Sequence, residues 1–141
     1  MQVVRLRHST VLASGKAGLM LFDPFLIPEA APKADVIFIT HGHYDHFSPE
    51  DIKRCLKPGT VIVCPPSLMK ECCRLAVTVK SVRGLEISTV PAYNIGKPFH
   101  KKEDGGVGYI VSDGTAVLYV PEIPTLPPKR KACAAIYAPC P

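Results

Sequence analysis

Tryptophan is absent from the 141-residue sequence, aromatic residues make up only 7%, and the six cysteines form no Cys-x-x-Cys pair. The densest basic cluster, Lys129-Arg130-Lys131, has no aromatic within it, and the net charge is only +5. With neither a stacking platform nor a broad basic face, a nucleic-acid partner is not expected. Cys72 and Cys73 are adjacent, while Cys55, Cys64, Cys133 and Cys140 stand apart. That spacing excludes a zinc ribbon and argues against a disulfide framework, so most cysteines are expected to be small buried hydrophobes. No apolar run reaches the roughly 18–20 residues a membrane span needs. Residues 1–10 alternate apolar with basic side chains and lack the apolar core of a signal peptide, so the expected location is cytoplasmic. Hydrophobic residues at 47% and charged residues at 21% exclude disorder, collagen and coiled coil, and the length suits one domain spanning 1–141.

What is present begins with strands. Val3-Val4-Arg5-Leu6-Arg7 and Val11-Leu12-Ala13 flank a short loop at His8. Ser14-Gly15-Lys16-Ala17-Gly18 reads as a turn before Leu19-Met20-Leu21-Phe22, which ends at Asp23-Pro24. Val36-Ile37-Phe38-Ile39 is continuous apolar sequence, the pattern of an interior strand covered on both faces. Ser48-Pro49-Glu50-Asp51 starts a helix: Ser48 caps free amides, Pro49 fits the first helical position, and the acids favour the positive end of the dipole. Strands are expected at 60–64, 76–79 and 85–90, with a second short helix over 66–75. This alternation predicts parallel β-α-β units. A hairpin joins 107–111 to 116–120 across Ser112-Asp113-Gly114-Thr115. Six of the 15 prolines fall in the last 21 residues, so the tail from about 121 is irregular, with 134–137 as one last strand.

Chemistry concentrates in Thr40-His41-Gly42-His43-Tyr44-Asp45-His46, directly after the buried strand. Ligands in α/β folds bind at the carboxyl ends of strands. Side chains two apart in extended backbone point the same way, so His41 and His43 can converge on one ion. Asp45 and His46 follow in a tightening turn and can face a second point nearby, with Gly42 leaving room for the backbone to turn. Neutral imidazoles and a carboxylate suit zinc, with iron and manganese also compatible. His8 and His100 are isolated along the chain; taken alone, His100 reads as an exposed surface imidazole and His8 equally as a hydrogen-bonded core or loop residue.

The motif His-x-His-x-Asp-His after an apolar strand resembles the metal motif of the metallo-β-lactamase superfamily. His8-Ser9-Thr10, Phe22-Asp23-Pro24-Phe25, Pro91-Ala92-Tyr93-Asn94 leading to Phe99-His100, and Gly105-Gly106-Val107-Gly108-Tyr109-Ile110 resemble its branch of ascorbate-6-phosphate-lactonase-like metal-dependent hydrolases. The resemblance implies an α/β fold, a four-layer αββα sandwich, with one or two metals at an edge of the sheets. It implies His41, His43 and His100 on the first metal and Asp45 and His46 on the second. Hydroxide formed at the metal would attack an ester, lactone, amide or phosphoester, with Asp45 as the catalytic residue that orients it and helps move its proton. His8 and Asp23 would support the site without ligating.

Relatives in that branch carry a Gly-Asp-Thr segment after the strand matching 116–120, and its Asp bridges two metals. Here Tyr119-Val120 runs into Pro121-Glu122-Ile123-Pro124, and the late histidine of the second site has no counterpart, as if the sandwich were truncated. Glu122 reads as a surface residue more readily than as a replacement carboxylate. The expectation is one Zn2+ held firmly, with Mn2+ or Fe2+ as substitutes, and a second ion weak or absent. Exposed sheet faces left by the short form predict a homo-oligomer. Lys97, Lys101 and Lys102 around His100 suit a small anionic substrate as well as they suit a solvated loop. Two functions compete: a metal-dependent hydrolase, and a catalytically impaired metal-binding relic acting through a protein partner.

Overall fold

The computed structural model describes residues 1–75, 82, 84–120 and 136–137. The strand expected at 76–79, Glu122, Cys133, Cys140 and the basic cluster at 129–131 lie outside the described residues.

Among the described residues, nine strands build two sheets. The first has the order β1 (Gln2–Arg5), β2 (Val11–Gly15), β3 (Gly18–Phe22), β4 (Val36–Phe38) and β5 (Val61–Val63). β1, β2 and β3 pair antiparallel, while β3, β4 and β5 run parallel. The second is an antiparallel meander of β6 (Glu86–Pro91), β7 (Val107–Ser112), β8 (Val117–Val120) and β9 (Ile136–Tyr137). Helices α1 (Pro49–Cys55) and α2 (Met69–Leu75) follow β4 and β5.

Alternation along β3 and β4 divides the apolar residues between two cores. Met20, Phe22, Val36 and Phe38 face the second sheet and meet Tyr109, Val111, Leu118 and Val120. Leu21, Ile37 and Ile39 point the other way, onto Ile52, Cys55 and Cys72 of the helices. A strand buried on both faces is apolar at every position, which is why 36–39 has no polar alternate. Phe22 and Phe38 stack at 4.5 Å between centroids, and the Tyr109 ring meets Phe38 edge-on at 5.1 Å. Truncating Phe38 to alanine would remove about 3–5 kcal/mol. Three layers of the expected sandwich are therefore in place: helices, first sheet, second sheet.

The parallel β-α-β reading holds for β4-α1-β5, and the strand at 76–79 that would close the next unit lies outside the described residues. β6 does not extend the parallel sheet; it opens the second sheet, antiparallel to β7. None of its residues is buried: Ile87 is half-buried against the core between the sheets and the polar positions are exposed, which suits an antiparallel strand with a solvated side. The turn at 14–18 is also tighter than expected, because β2 and β3 run to Gly15 and Gly18 and leave two residues between them. Gly15 is required there, since a Cβ would lie 2.5 Å from Asp113 Oδ2.

Ser48 caps α1, its hydroxyl accepting from Asp51 N at 3.4 Å and donating to Asp51 Oδ2 at 2.7 Å. The Asp51 carboxylate also accepts from Leu26 N and Ile27 N, pinning the proline-rich loop after β3 against the helix. The four described cysteines are free thiols: Cys55 and Cys72 are buried, Cys64 half-buried and Cys73 exposed. Burial pushes the Cys55 thiol up to about 11, the behaviour of an inert core residue. Among the described residues, no helix is long and apolar enough to cross a membrane.

Candidate metal centre

β4 delivers the histidine segment to the seam between the sheets. Ile39 N donates to Val63 O, Val107 N at the start of β7 donates to Thr40 O at 3.0 Å, and the buried Tyr109 hydroxyl donates to Ile39 O at 2.8 Å. Beyond Thr40 the chain turns, with His46 N and Phe47 N both donating to His43 O. The two halves of the segment then face two neighbouring points, as the spacing predicts.

At the first point stand His41, His43 and His100, whose ring nitrogens lie within 4.8 Å of one another. His43 Nδ1 and His100 Nε2 are 2.8 Å apart, so a single proton lies between them. His41 is 5% exposed, and its Nδ1 lies 3.0 Å from Thr40 Oγ1. That hydroxyl donates to Asp23 Oδ2 at 2.6 Å, which leaves its oxygen to accept the Nδ1 proton of His41. His41 Nε2 therefore carries a lone pair, and it is buried with no hydrogen-bond partner among the described residues. Burial, reinforced by the neighbouring His46, His43 and His100, pushes the His41 pKa down to about 3. The same causes, with burial first, lower His100. Neutral imidazoles converging with one orphaned lone pair fit a divalent cation with an open fourth position.

The second point gathers His8, Asp45 and His46, again within 4.8 Å. His8 Nε2 is 2.9 Å from Asp45 Oδ2, and His46 Nε2 is 3.8 Å from the same oxygen. Burial favours the neutral Asp45 carboxyl, but the His8 hydrogen bond, a backbone hydrogen bond and the charges of His46 and His8 together hold its pKa below the usual value. His46 turns its other nitrogen, Nδ1, towards Asp23 Oδ2 at 3.0 Å and Ser9 Oγ at 3.1 Å. The rings of His41 and His46 are only 4.2 Å apart, so the two groups adjoin.

Asp23, at 0% exposure, supports both groups. Its Oδ1 accepts from Thr40 N at 2.8 Å, while Oδ2 serves Thr40 Oγ1 and His46 Nδ1. A carboxylate behind an imidazole fixes its tautomer and orientation, the support expected of Asp23. Asn94 does similar work at His100: its backbone N donates to His100 O and its side-chain amide lies 3.4 Å from Nδ1.

Among the described residues, four besides glycine adopt left-handed backbone, and three are here: His8 (φ 50), Asp23 (φ 45) and His100 (φ 52). Each such residue costs about 1–2 kcal/mol, and such costs persist where function or packing imposes them. The His8–Asp45 pair, with the His8 side chain 46% exposed, returns at most about 1 kcal/mol. Ion pairing alone does not offset the backbone cost at His8.

The sequence left Asp45 and His46 as a pair, with His8 as support, and the fold places His8 Nε2 2.9 Å from Asp45 Oδ2. Gly42 is not in left-handed backbone; a Cβ there would approach Leu68 Cδ2 to 3.0 Å, so close packing is what it serves. Ser9 was unflagged, although three consecutive polar residues between two strands, His8-Ser9-Thr10, are the signal: Thr10 Oγ1 donates to Asp23 O at 2.8 Å. A cavity of about 300 Å³ opens over the first group, lined by His41, His43, His100, Ser67, Lys101 and Asp104 among others. Lys97 and Lys102 lie over the rings of Phe99 and Tyr93 instead.

Two face-to-face sheets with helices on one outer face and histidines at the strand ends define a metallo-β-lactamase type of fold. The chain belongs to the beta-lactamase superfamily, whose domain model matches residues 2–135. It is similar to a UPF0173 metal-dependent hydrolase of Methanopyrus kandleri, 30% identical over 137 positions, covering 85% of this chain and 56% of the relative. A UPF0173 metal-dependent hydrolase of Bacillus subtilis is 35% identical over 74 residues, covering 48% of this chain and 32% of that protein. A crystal structure of a Parabacteroides distasonis protein described as a metal-dependent hydrolase superposes with a TM-score of 0.69 at 28% identity, over 84% of this chain and 58% of that one. The chain thus spans little more than half the length of the longest-matching of these relatives, and less of the other.

Proposed function

We propose that the chain is a metal-dependent hydrolase whose cation is held by His41 Nε2, His43 Nδ1 and His100 Nε2. The observation that carries this reading is the buried, unpartnered lone pair of His41 aimed at two further imidazoles. When bound, a divalent cation, with zinc the best match to three imidazoles, supplies Lewis acidity and makes water ionisable near neutral pH. The remaining work belongs to the chain. Asp45, held as the carboxylate by His8, orients the attacking water and accepts its proton. Lys101 at the cavity draws in a small anionic ester, lactone or phosphoester. Asp23 and Thr40 hold His41 in the tautomer that presents Nε2.

The superfamily membership and the named metal-dependent hydrolases among its relatives support this reading. Its test is turnover of a generic lactone and a generic phosphodiester by metal-loaded protein, compared with His43→Ala. Turnover lost in the variant and not restored by added metal supports the hydrolase. Firm cation binding with no turnover of either probe would instead favour the relic that works through a partner.

A further inference from the structure

We infer that Cys64 and Cys72 form a reversible oxidation site, a dithiol that a hydroperoxide converts into a disulfide. The inference stands apart from the metal reading. Cys64 directly follows β5, and Cys72 lies in α2. Both belong to the core between the helices and the first sheet, where Cys72 is 4% exposed and Cys64 packs partly buried against the same cluster. The fold brings the two sulfurs together, and the Cys72 thiol donates a hydrogen bond to Cys64. Side chains must converge before an S–S bond of about 2.05 Å can form, and these already do. The bond would close a covalent loop through residues 64–72, the stretch that carries Ser67 and Leu68 in the wall of the cavity.

The two thiols differ as an attacking and a resolving cysteine must. Cys64 is half-buried and open to a small oxidant, whereas Cys72 is sealed in the core. The hydrogen bond from Cys72 holds the Cys64 thiol below its usual range, against burial and the Glu71 charge, and the same bond with burial holds Cys72 up. Access and thiolate character therefore assign the first step to Cys64. Its thiolate attacks one oxygen of the hydroperoxide. The O–O bond breaks, Cys64 becomes the sulfenic acid, and the departing alkoxide takes a proton from water. The Cys72 thiol then attacks the Cys64 sulfur, the S–O bond breaks, and water leaves with the Cys72 proton. Two thiols and one hydroperoxide thus give one disulfide, one alcohol and one water. Cys73 is exposed, adjacent to Cys72 and the natural competitor for the same partner.

The test treats the reduced full chain with hydrogen peroxide, blocks the remaining thiols with iodoacetamide, and maps the tryptic peptides by mass without reduction. Trypsin places Cys64 in the peptide 55–70 and Cys72 in 71–74. These two peptides are expected to be joined within one chain, with fragmentation assigning the bond to Cys64 and Cys72, and to separate again after dithiothreitol. Cys73→Ser is expected to keep the bond, and Cys64→Ser and Cys72→Ser to lose it. In Cys72→Ser the sulfenic acid is left unresolved on Cys64 and is captured by dimedone. The wild-type map needs no substitution, so it decides even where a variant fails to fold. Peptides that stay unjoined, a bond that fragmentation assigns to Cys73, or a bond from Cys64 to Cys133 or Cys140 overturns the inference.

Discussion

The two donor groups share one segment and differ in what completes them. His41, His43 and His100 are all imidazoles, with one nearly sealed from solvent and its lone pair unpartnered. His8, Asp45 and His46 mix imidazoles with a carboxylate already engaged by His8 at 2.9 Å. In each, the 41–46 segment supplies two donors and a distant loop supplies the third in left-handed backbone. The first group contains an unmet acceptor, and the second a hydrogen-bonded His8–Asp45 pair. A buried acceptor without a donor is costly, about 1–3 kcal/mol, so the first group gains most from a cation.

The largest expected effect that would break this comparison is His41→Ala, which should abolish cation binding at the first group, read as metal content after dialysis. Next comes Asp23→Ala, which removes the carboxylate that Thr40 N, Thr40 Oγ1 and His46 Nδ1 share. It should destabilise the metal-free protein by about 3 kcal/mol in urea unfolding and weaken cation binding at the His46 side by about 10–100-fold. Titrating each metal-free group separates them further. His41, with its pKa pushed down to about 3, is neutral in the folded chain while an unfolded histidine protonates below 6.5. The unfolded state then binds the extra proton, so stability falls as pH drops from about 6.5 towards 3. Asp45, lowered from 3.8, contributes only above that value and loses its contribution as pH falls below it. Urea midpoints measured from pH 7 to 3 should therefore fall first in the upper window, and His41→Asn should flatten that upper decline. The smallest effect is at the cavity: Lys101→Ala should raise KM for an anionic substrate about 5-fold, about 1 kcal/mol, with kcat little changed.

Local chemistry made much of this legible. The apolar run 36–39, the Ser48-Pro49 helix start and the Asp113-Gly114 turn each state their structure within a few residues, and the structure follows them. The pairing of β6 was not legible, because strand propensity does not say which sheet receives the strand. The placement of His100 entered through resemblance, since nothing within Phe99-His100-Lys101 points towards residue 43. The position of His8 was not legible for the same reason. Its role depends on a contact with Asp45 made across 37 positions of chain, and on a backbone angle that sequence does not display.

The most direct measurement is an anomalous difference map from crystals of the full chain loaded with zinc. The account predicts an ion about 2.0–2.1 Å from each of His41 Nε2, His43 Nδ1 and His100 Nε2. An ion coordinated without His41 or His100, or no ion at this seam, would contradict it.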